Sequence, residues 1–268
     1  MNAQALLKIA HQAALEAGRI QLRYYGKLKR SEISQKSKND FVTKVDKLCE
    51  KAIIGRIFKK YPKHSIQAEE SGVTPGDSTR WIIDPLDGTS NYIHLFPMFS
   101  VSIGVVHENR LLAGVVYDPL HSEMFSAVRG QGAFLNGRRI RVTPTKRLAT
   151  ALMSTGIPFR ARYRFEQYFR SLKTISLASA GMRRGGSAAL DLAYVASGRF
   201  DGFWEINLSP WDVAAGALLI KEAGGKISDL WGGKNFLKSG DILASNGRIH
   251  QELKTVTSAI FTPRSPSE

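Results

Sequence analysis

A single cysteine, Cys49, stands among 268 residues. That excludes an internal disulfide framework and a cysteine-based zinc site, and it points to a cytoplasmic location. Long apolar runs are also missing. A membrane-spanning helix needs about 18 or more consecutive apolar residues, and no such run occurs, so no membrane association is expected. The opening stretch MNAQALLKIAHQAALEAGRIQLRYY is interrupted by His11, Gln12 and Glu16. This is the pattern of an amphipathic helix rather than the apolar centre of a secretion signal. No serine or cysteine nucleophile motif is found, and no repeat or low-complexity linker divides the chain. Acidic residues are scarce beside basic ones, 23 against 38, for a net charge of +15. The basic residues gather in 23–47, 138–147 and 160–170, yet no zinc-finger spacing or aromatic RNA-binding signature accompanies them. A solvated, lysine-rich surface accounts for the charge as well as an anionic partner does, whether phosphorylated substrate, nucleic acid or acidic protein.

What is present is a large apolar content, 43% with 13 Phe and 4 Trp, enough for a substantial core. Leu6, Ala10, Ala13, Ala14, Ala17 and Ile20 share one helical face. SEISQKSKND is polar and reads as a loop. A second helix runs from an N-cap at Thr43 through Val45, Leu48, Ala52, Ile53 and Ile57 towards Pro62. HSIQAEES and RWIID read as buried strands, the first ending at Glu69 and Glu70 and the second at Asp84. FSVSIGVV, LLAGVVYD and EMFSAVR, parted by HENR and PLHS, predict an antiparallel meander, with GAFLNGRRIRV adding an edge hairpin at Asn-Gly. After about residue 150 strands and helices alternate. ATALMSTG, DGFWEI and ILASN read as strands. ARYRFEQYFRSLKTIS, the segment capped by Ser187 and stopped at Gly198, and SPWDVAAGALLIKEAGG read as helices. The expected chain is one compact unit of two fused halves: residues 1–148, α+β with an antiparallel sheet, and 149–268, α/β with a smaller mixed sheet.

The stretch WIIDPLDGTSNYIH carries the sharpest chemical signal. Asp-Pro and Asp-Gly are ordinary turn pairs. Asp84, however, ends an apolar strand, where an unpaired carboxylate is costly, and Asp84 and Asp87 repel unless a cation lies between them. Gly88, Thr89 and Asn91 then open a helix whose free N–H groups suit an anion. Hard oxygen donors without His or Cys favour Mg²⁺ over zinc. Asp212 alone reads as an ordinary helix-start acid, and Asp46 alone as a solvated charge. Taken together, these acids suggest one site for a divalent cation and a phosphate.

DPLDGTSN together with PWDVAAG resembles the paired signature of the inositol monophosphatase family. NDFVTKVD, AEES, GGSAAL, FWEI and KEAGG follow in the family's order, so the likeness spans about residues 5–247 and is strongest to the bacterial inositol-1-monophosphatases. The resemblance implies a layered αβαβα sandwich and a Mg²⁺-dependent phosphate monoester hydrolase acting on inositol-1-phosphate. It assigns Glu69, Asp84 and the backbone carbonyl of Leu86 to a first Mg²⁺, and Asp84, Asp87 and Asp212 to a second, with a looser third beside Glu69. It implies that Thr89 and Asp46 orient and deprotonate the attacking water, and that the N–H groups of Gly88 and Thr89 bind phosphate. Gly186, Ser187, Ala188 and Glu205, with Asp87 and Asp212, would contact the substrate. Arg183 and Arg184 would face the substrate or a neighbouring subunit. A lysine lies near the metals in some relatives, and Lys36 and Lys38 compete for that position. MSTGIPFRAR departs most from the family pattern. A homodimer and Li⁺ inhibition are further implications. Phosphatases of the same superfamily acting on histidinol phosphate, phosphoadenosine nucleotides or fructose bisphosphate share the metal motifs and remain alternatives. So does an added contact with RNA, RNA polymerase or a transcription factor.

Overall fold

The structure is a computed structural model that describes residues 2–37, 40–159 and 161–262. Met1, Lys38, Asn39, Arg160 and residues 263–268 lie outside the described residues. Helix α1 (Ala3–Tyr24) starts at Asn2, whose side chain accepts the Ala5 N–H at 3.1 Å, and it buries Leu6, Ala10, Ala13, Ala14 and Ala17. The next segment departs from its expected loop. A 3₁₀ turn at Arg30–Glu32 leads into β1 (Ile33–Ser37), which pairs antiparallel with β2 (Asp40–Thr43). Polarity misleads here because both strands are held by backbone hydrogen bonds, which need no buried side chains. Helix α2 (Lys44–Lys60) follows, with Thr43 as N-cap and Asp46 closing a capping box.

Strands β3 (Ser65–Ala68), β4 (Gly72–Thr74) and β5 (Thr79–Asp87) precede the short helix α3 (Thr89–Ile93). The meander then runs β6 (Ser100–His107), β7 (Arg110–Asp118), β8 (Glu123–Val128), β9 (Gly132–Leu135) and β10 (Arg138–Ile140). Together they make a sheet ordered β10-β9-β8-β7-β6-β5-β3-β4. It is antiparallel except that β3 and β5 run parallel. That parallel pair arises because β4 folds back along the outer edge of β3, so β5 must enter on the other side. Beyond it come β11 (Leu152–Thr155), α4 (Phe165–Ala178), β12 (Gly181–Arg183), α5 (Ala188–Ala196), β13 (Gly202–Glu205), α6 (Pro210–Glu222), β14 (Lys226–Ser228), α7 (Phe236–Ser239), β15 (Ile242–Ser245) and α8 (His250–Ile260). Their strands form a mixed sheet ordered β12-β11-β13-β15-β14.

Period-two alternation sorts the side chains of both sheets onto two faces. In the large sheet Trp81, Ile83, Val105 and Val115 join the core with α1 and α2, whereas Ile82, Val106 and Val116 join the core with α5 and α6. In the small sheet Phe203, Ile242 and Ala244 face α5 and α6, whereas Met153, Trp204 and Leu243 pack with residues of α4 and α8. The layers are therefore helix, sheet, helix, sheet, helix, which is the expected αβαβα sandwich. The central contact is unusually close: a Cβ on Gly104 would meet Ala214 Cβ at 2.7 Å, and one on Gly114 would meet the Ala215 carbonyl oxygen at 3.0 Å. No helix among the described residues is long and apolar enough to cross a membrane.

Candidate active site

The end of β5 breaks register against β6 between Asp84 and Asp87. This irregularity lets both carboxylates leave the sheet on the same side. Asp84 Oδ1 accepts the Leu86 N–H at 2.9 Å, and Gln21 on α1 donates to the Pro85 carbonyl at 2.8 Å. The Tyr92 hydroxyl in turn donates to the Gln21 carbonyl at 2.7 Å. The Asp-Pro-Leu-Asp bend is thus clamped from below by buried groups. Gly88 follows at φ +92°, where a Cβ would meet the Met98 carbonyl at 2.9 Å. Glycine relieves both the backbone strain and the contact.

Asp84, Asp87 and Asp212 come together, each offering one carboxylate oxygen within 4.8 Å of the others. They lie on a cavity of about 470 Å³ that is also lined by Glu69, Leu86, Gly88, Thr89, Gly186, Ser187, Ala188 and Glu205. Asp87 Oδ2 accepts the Ser187 hydroxyl and, at 2.8 Å, the Ala189 N–H at the start of α5. Asp212 has the helix-start role expected of it, accepting the Ser209 N–H at 2.7 Å, and the cluster adds a second role. Burial pushes the Asp84 carboxyl well above its usual range, and the charges of Glu69, Asp87 and Asp212 push it further. Burial raises Asp87 to about 6 against the hydrogen bonds from Ser187 and Ala189. Three carboxylates this close favour a bound cation, and a donor set of oxygens alone suits a hard divalent ion. The residues therefore fit the metal that the motifs imply.

Glu69 lines the same cavity but lies outside the three-carboxylate group. Lys36 Nζ stands 3.2 Å from Glu69 Oε1 and 2.5 Å from Glu70 Oε1. Burial opposes the charge on this lysine, but the two glutamates outweigh it and raise its pKa. Lys36 therefore reaches the site, and the competing Lys38 lies outside the described residues. Asp46 is not the solvated charge it resembles in isolation. It is fully buried, because its capping box faces inward. Its Oδ2 accepts the Thr43 N–H at 2.8 Å and the Thr43 hydroxyl at 2.6 Å, and its Oδ1 accepts from Thr89 Oγ1 at 3.1 Å. Burial raises it to about 6 despite these bonds. Thr89 Oγ1 also lies 3.0 Å from the Leu86 carbonyl oxygen.

The opposite wall is built by β11, α5 and β13. Ser187 caps α5. Glu205 is buried rather than a surface acid, and its carboxylate packs against Gly156 where a Cβ would sit. Gly156, Ile157, Pro158 and Phe159 line the cavity, so the divergent segment forms part of its wall. The Arg184 guanidinium lies 5.8 Å from the Phe159 ring centre and lines the cavity, whereas Arg183 is exposed and outside its lining. Sequence reasoning missed Asn91 as a tie: its Nδ2 donates to the Met98 carbonyl at 2.7 Å and the Gly185 carbonyl at 2.9 Å, joining the two walls. It also missed Asp191, which is buried on α5 at the cavity wall. The only signal for it was an acid inside the otherwise apolar run AALDLAYVA.

The sequence model of the inositol monophosphatase family matches residues 2–260. The Nus factor SuhB of Escherichia coli strain K12 is 49% identical over 246 residues, covering 91% of this chain and 92% of that protein. The inositol-1-monophosphatase of Mesorhizobium japonicum is 42% identical, covering 94% and 96%. The crystal structure of the extragenic suppressor protein suhB from Bartonella henselae superposes with a TM-score of 0.92 at 41% identity, covering 95% and 98%.

Proposed function

Because the chain belongs to the inositol monophosphatase family, we propose that it is a Mg²⁺-dependent phosphate monoester hydrolase whose best substrate is inositol-1-phosphate. The observation that carries this reading is the meeting of Asp84, Asp87 and Asp212 on one cavity with Thr89, Ser187 and Glu205. Glu69, Asp84, the Leu86 carbonyl, Asp87 and Asp212 would hold two to three Mg²⁺. When bound, these ions supply the positive charge that stabilises the phosphoryl oxygens and eases ionisation of water. The Leu86 oxygen has two lone pairs, so its contact with Thr89 leaves room for a cation.

The chain's own groups do the rest. Asp46, fixed by Thr43, orients the Thr89 hydroxyl, whose remaining lone pairs can accept from an attacking water. A carboxyl raised to about 6 is suited to take a proton near neutrality. The Gly88 and Thr89 N–H groups hold phosphate oxygens. Gly186, Ser187, Ala188 and Glu205 hold the leaving alcohol, whose hydroxyls suit a polar wall. The test is phosphate release from a panel of monoesters with and without Mg²⁺ and Li⁺. Mg²⁺-dependent release greatest for inositol-1-phosphate, and suppressed by Li⁺, is expected. A clear preference for histidinol phosphate, fructose bisphosphate or a phosphoadenosine nucleotide would replace the substrate. No release from any ester would overturn the reading.

A second reading adds contact with the transcription machinery, favoured by the net charge of +15 and by relatives named Nus factor SuhB. Binding of RNA or RNA polymerase that persists in Asp87→Asn would support it. Salt-sensitive binding without preference among RNAs would reduce it to general electrostatics. A cytoplasmic homodimer, with residues 1–148 supplying most of the metal ligands and 149–268 most of the substrate wall, completes the proposal.

A further inference from the structure

Asp191 and Ser154 are two buried polar side chains that the chemistry above does not use. Asp191 sits one turn into α5 and is 1% exposed, and Ser154 on β11 is fully buried. Asp191 Oδ1 and Ser154 Oγ complete no hydrogen bond among the described residues. The Ser154 hydroxyl acts as a weak donor that favours the ionised acid, as does the nearby Arg184 charge, but the serine contact falls short of full hydrogen-bond geometry. Buried oxygens left in this state are costly, and native proteins keep few of them. The cost is larger here because Asp87 and Glu205 lie near enough to repel an ionised Asp191.

The position of the pair gives it a use. Asp191 lines the cavity at the wall that also holds Arg184, Gly186 and Glu205. It lies behind the Gly185 turn, where a Cβ would come within 3.1 Å of its Oδ1. Gly185 leaves room for the Met98 side chain to pack beside this carboxyl, and Gly186 leaves room for the Arg184 and Asn91 side chains. Asp87, which accepts the Ala189 N–H at the start of α5, and Glu205 both lie near Asp191. On the proposed reading, a substrate reaching from the metal carboxylates to Glu205 would carry its alcohol portion past Asp191. An alcohol hydroxyl both donates and accepts, so one such group can satisfy the acid and the serine together.

We propose that Asp191, supported by Ser154, is a hydroxyl-binding subsite that selects esters of polyols over esters of alcohols lacking a further hydroxyl. This deepens the phosphatase reading and rests on it. A site built to pair a hydroxyl discriminates strongly against analogues without one, because its own polar groups are then left unpaired.

The test compares inositol-1-phosphate with 4-nitrophenyl phosphate in the wild type, Asp191→Asn, Asp191→Leu and Ser154→Ala, with melting temperatures alongside. The ratio of kcat/KM for the polyol ester to that for the aryl ester is expected to fall by about tenfold or more in both Asp191 variants, chiefly through KM. A smaller fall is expected in Ser154→Ala. The leucine variant is expected to melt no lower than wild type, since it removes an unpaired buried acid, and a merely structural Asp191 would lower the melting temperature instead. An unchanged ratio in folded Asp191 variants overturns the subsite and leaves the phosphatase reading intact. A wild type without preference for the polyol ester overturns the substrate reading and the subsite together.

Discussion

Asp87 serves two neighbours at once. Its Oδ2 receives the Ser187 hydroxyl and the Ala189 N–H, while the carboxylate also belongs to the group with Asp84 and Asp212. An amide keeps one acceptor oxygen but loses the charge. Asp87→Asn and Asp212→Asn are therefore expected to abolish Mg²⁺-dependent phosphate release while leaving the fold intact. Without metal each variant is expected to melt higher than wild type, because a repelling buried charge has gone. Calorimetry in EDTA and in Mg²⁺, beside a phosphate assay, checks both effects, and near wild-type turnover would sink the metal assignment. These acids were legible in the sequence because each stands at a local signal, a strand end, a turn or a helix start. Asp191 was not. An acid in the first turn of a helix ordinarily faces water and the helix dipole, and only the packing of α5 between two sheets makes this one buried. Lys36 could not be separated from Lys38 by spacing, since the choice depends on which residue a hairpin turns towards Glu69.

At the scale of elements, α6 sets the position of Asp212 through its contact with the large sheet. Gly104 and Gly114 let the backbone of α6 approach β6 and β7. Gly104→Ala is expected to lower stability by about 1–3 kcal/mol, the usual cost of overpacking, and to weaken Mg²⁺ affinity as α6 shifts. Urea titration and metal titration of the folded variant measure the two effects. The loop after β13 has another anchor. Arg164 Nη1 donates to both oxygens of Asp241, at 2.9 and 2.7 Å, and Asp241 Oδ1 accepts the Asn207 N–H at 3.2 Å. Both charges are buried. Asp241→Asn leaves the arginine without its charge partner and is expected to cost about 3–5 kcal/mol, read as a lower urea midpoint. Most elements follow from their side-chain periods. The β1–β2 hairpin does not, because its pairing rests on backbone groups that polar side chains conceal.

The whole molecule buries more carboxylate charge than its metal-free form can comfortably hold. Asp46 and Asp87 are raised to about 6, and Asp84 and Asp191 well above their usual range, by burial first. Between the ordinary carboxylate range and these raised values the folded chain binds more protons than the unfolded one, so stability grows as pH falls. Three histidines act in the opposite sense. Burial lowers His11 and His64, and burial, then Lys226 and Lys254, lowers His250 to about 4, so their contribution is lost as pH falls from about 6.5 through the lowered values. The four raised aspartates, with Glu70 raised by burial to about 7, outnumber them, and metal-free protein is expected to melt higher at pH 5.5 than at pH 7.5. Saturating Mg²⁺ is expected to remove or reverse that difference, and a metal-free chain that melts higher at pH 7.5 would contradict the burial argument. The joint between Asp87 and the start of α5 has a consequence for this balance. One carboxylate touches both the three-carboxylate group and the start of α5, so on the proposed reading the ion and the ester would share a coupling free energy. Whatever factor a bound ester applied to ion affinity, the ion would return to ester affinity, and neither constant would have meaning without the concentration of the other ligand.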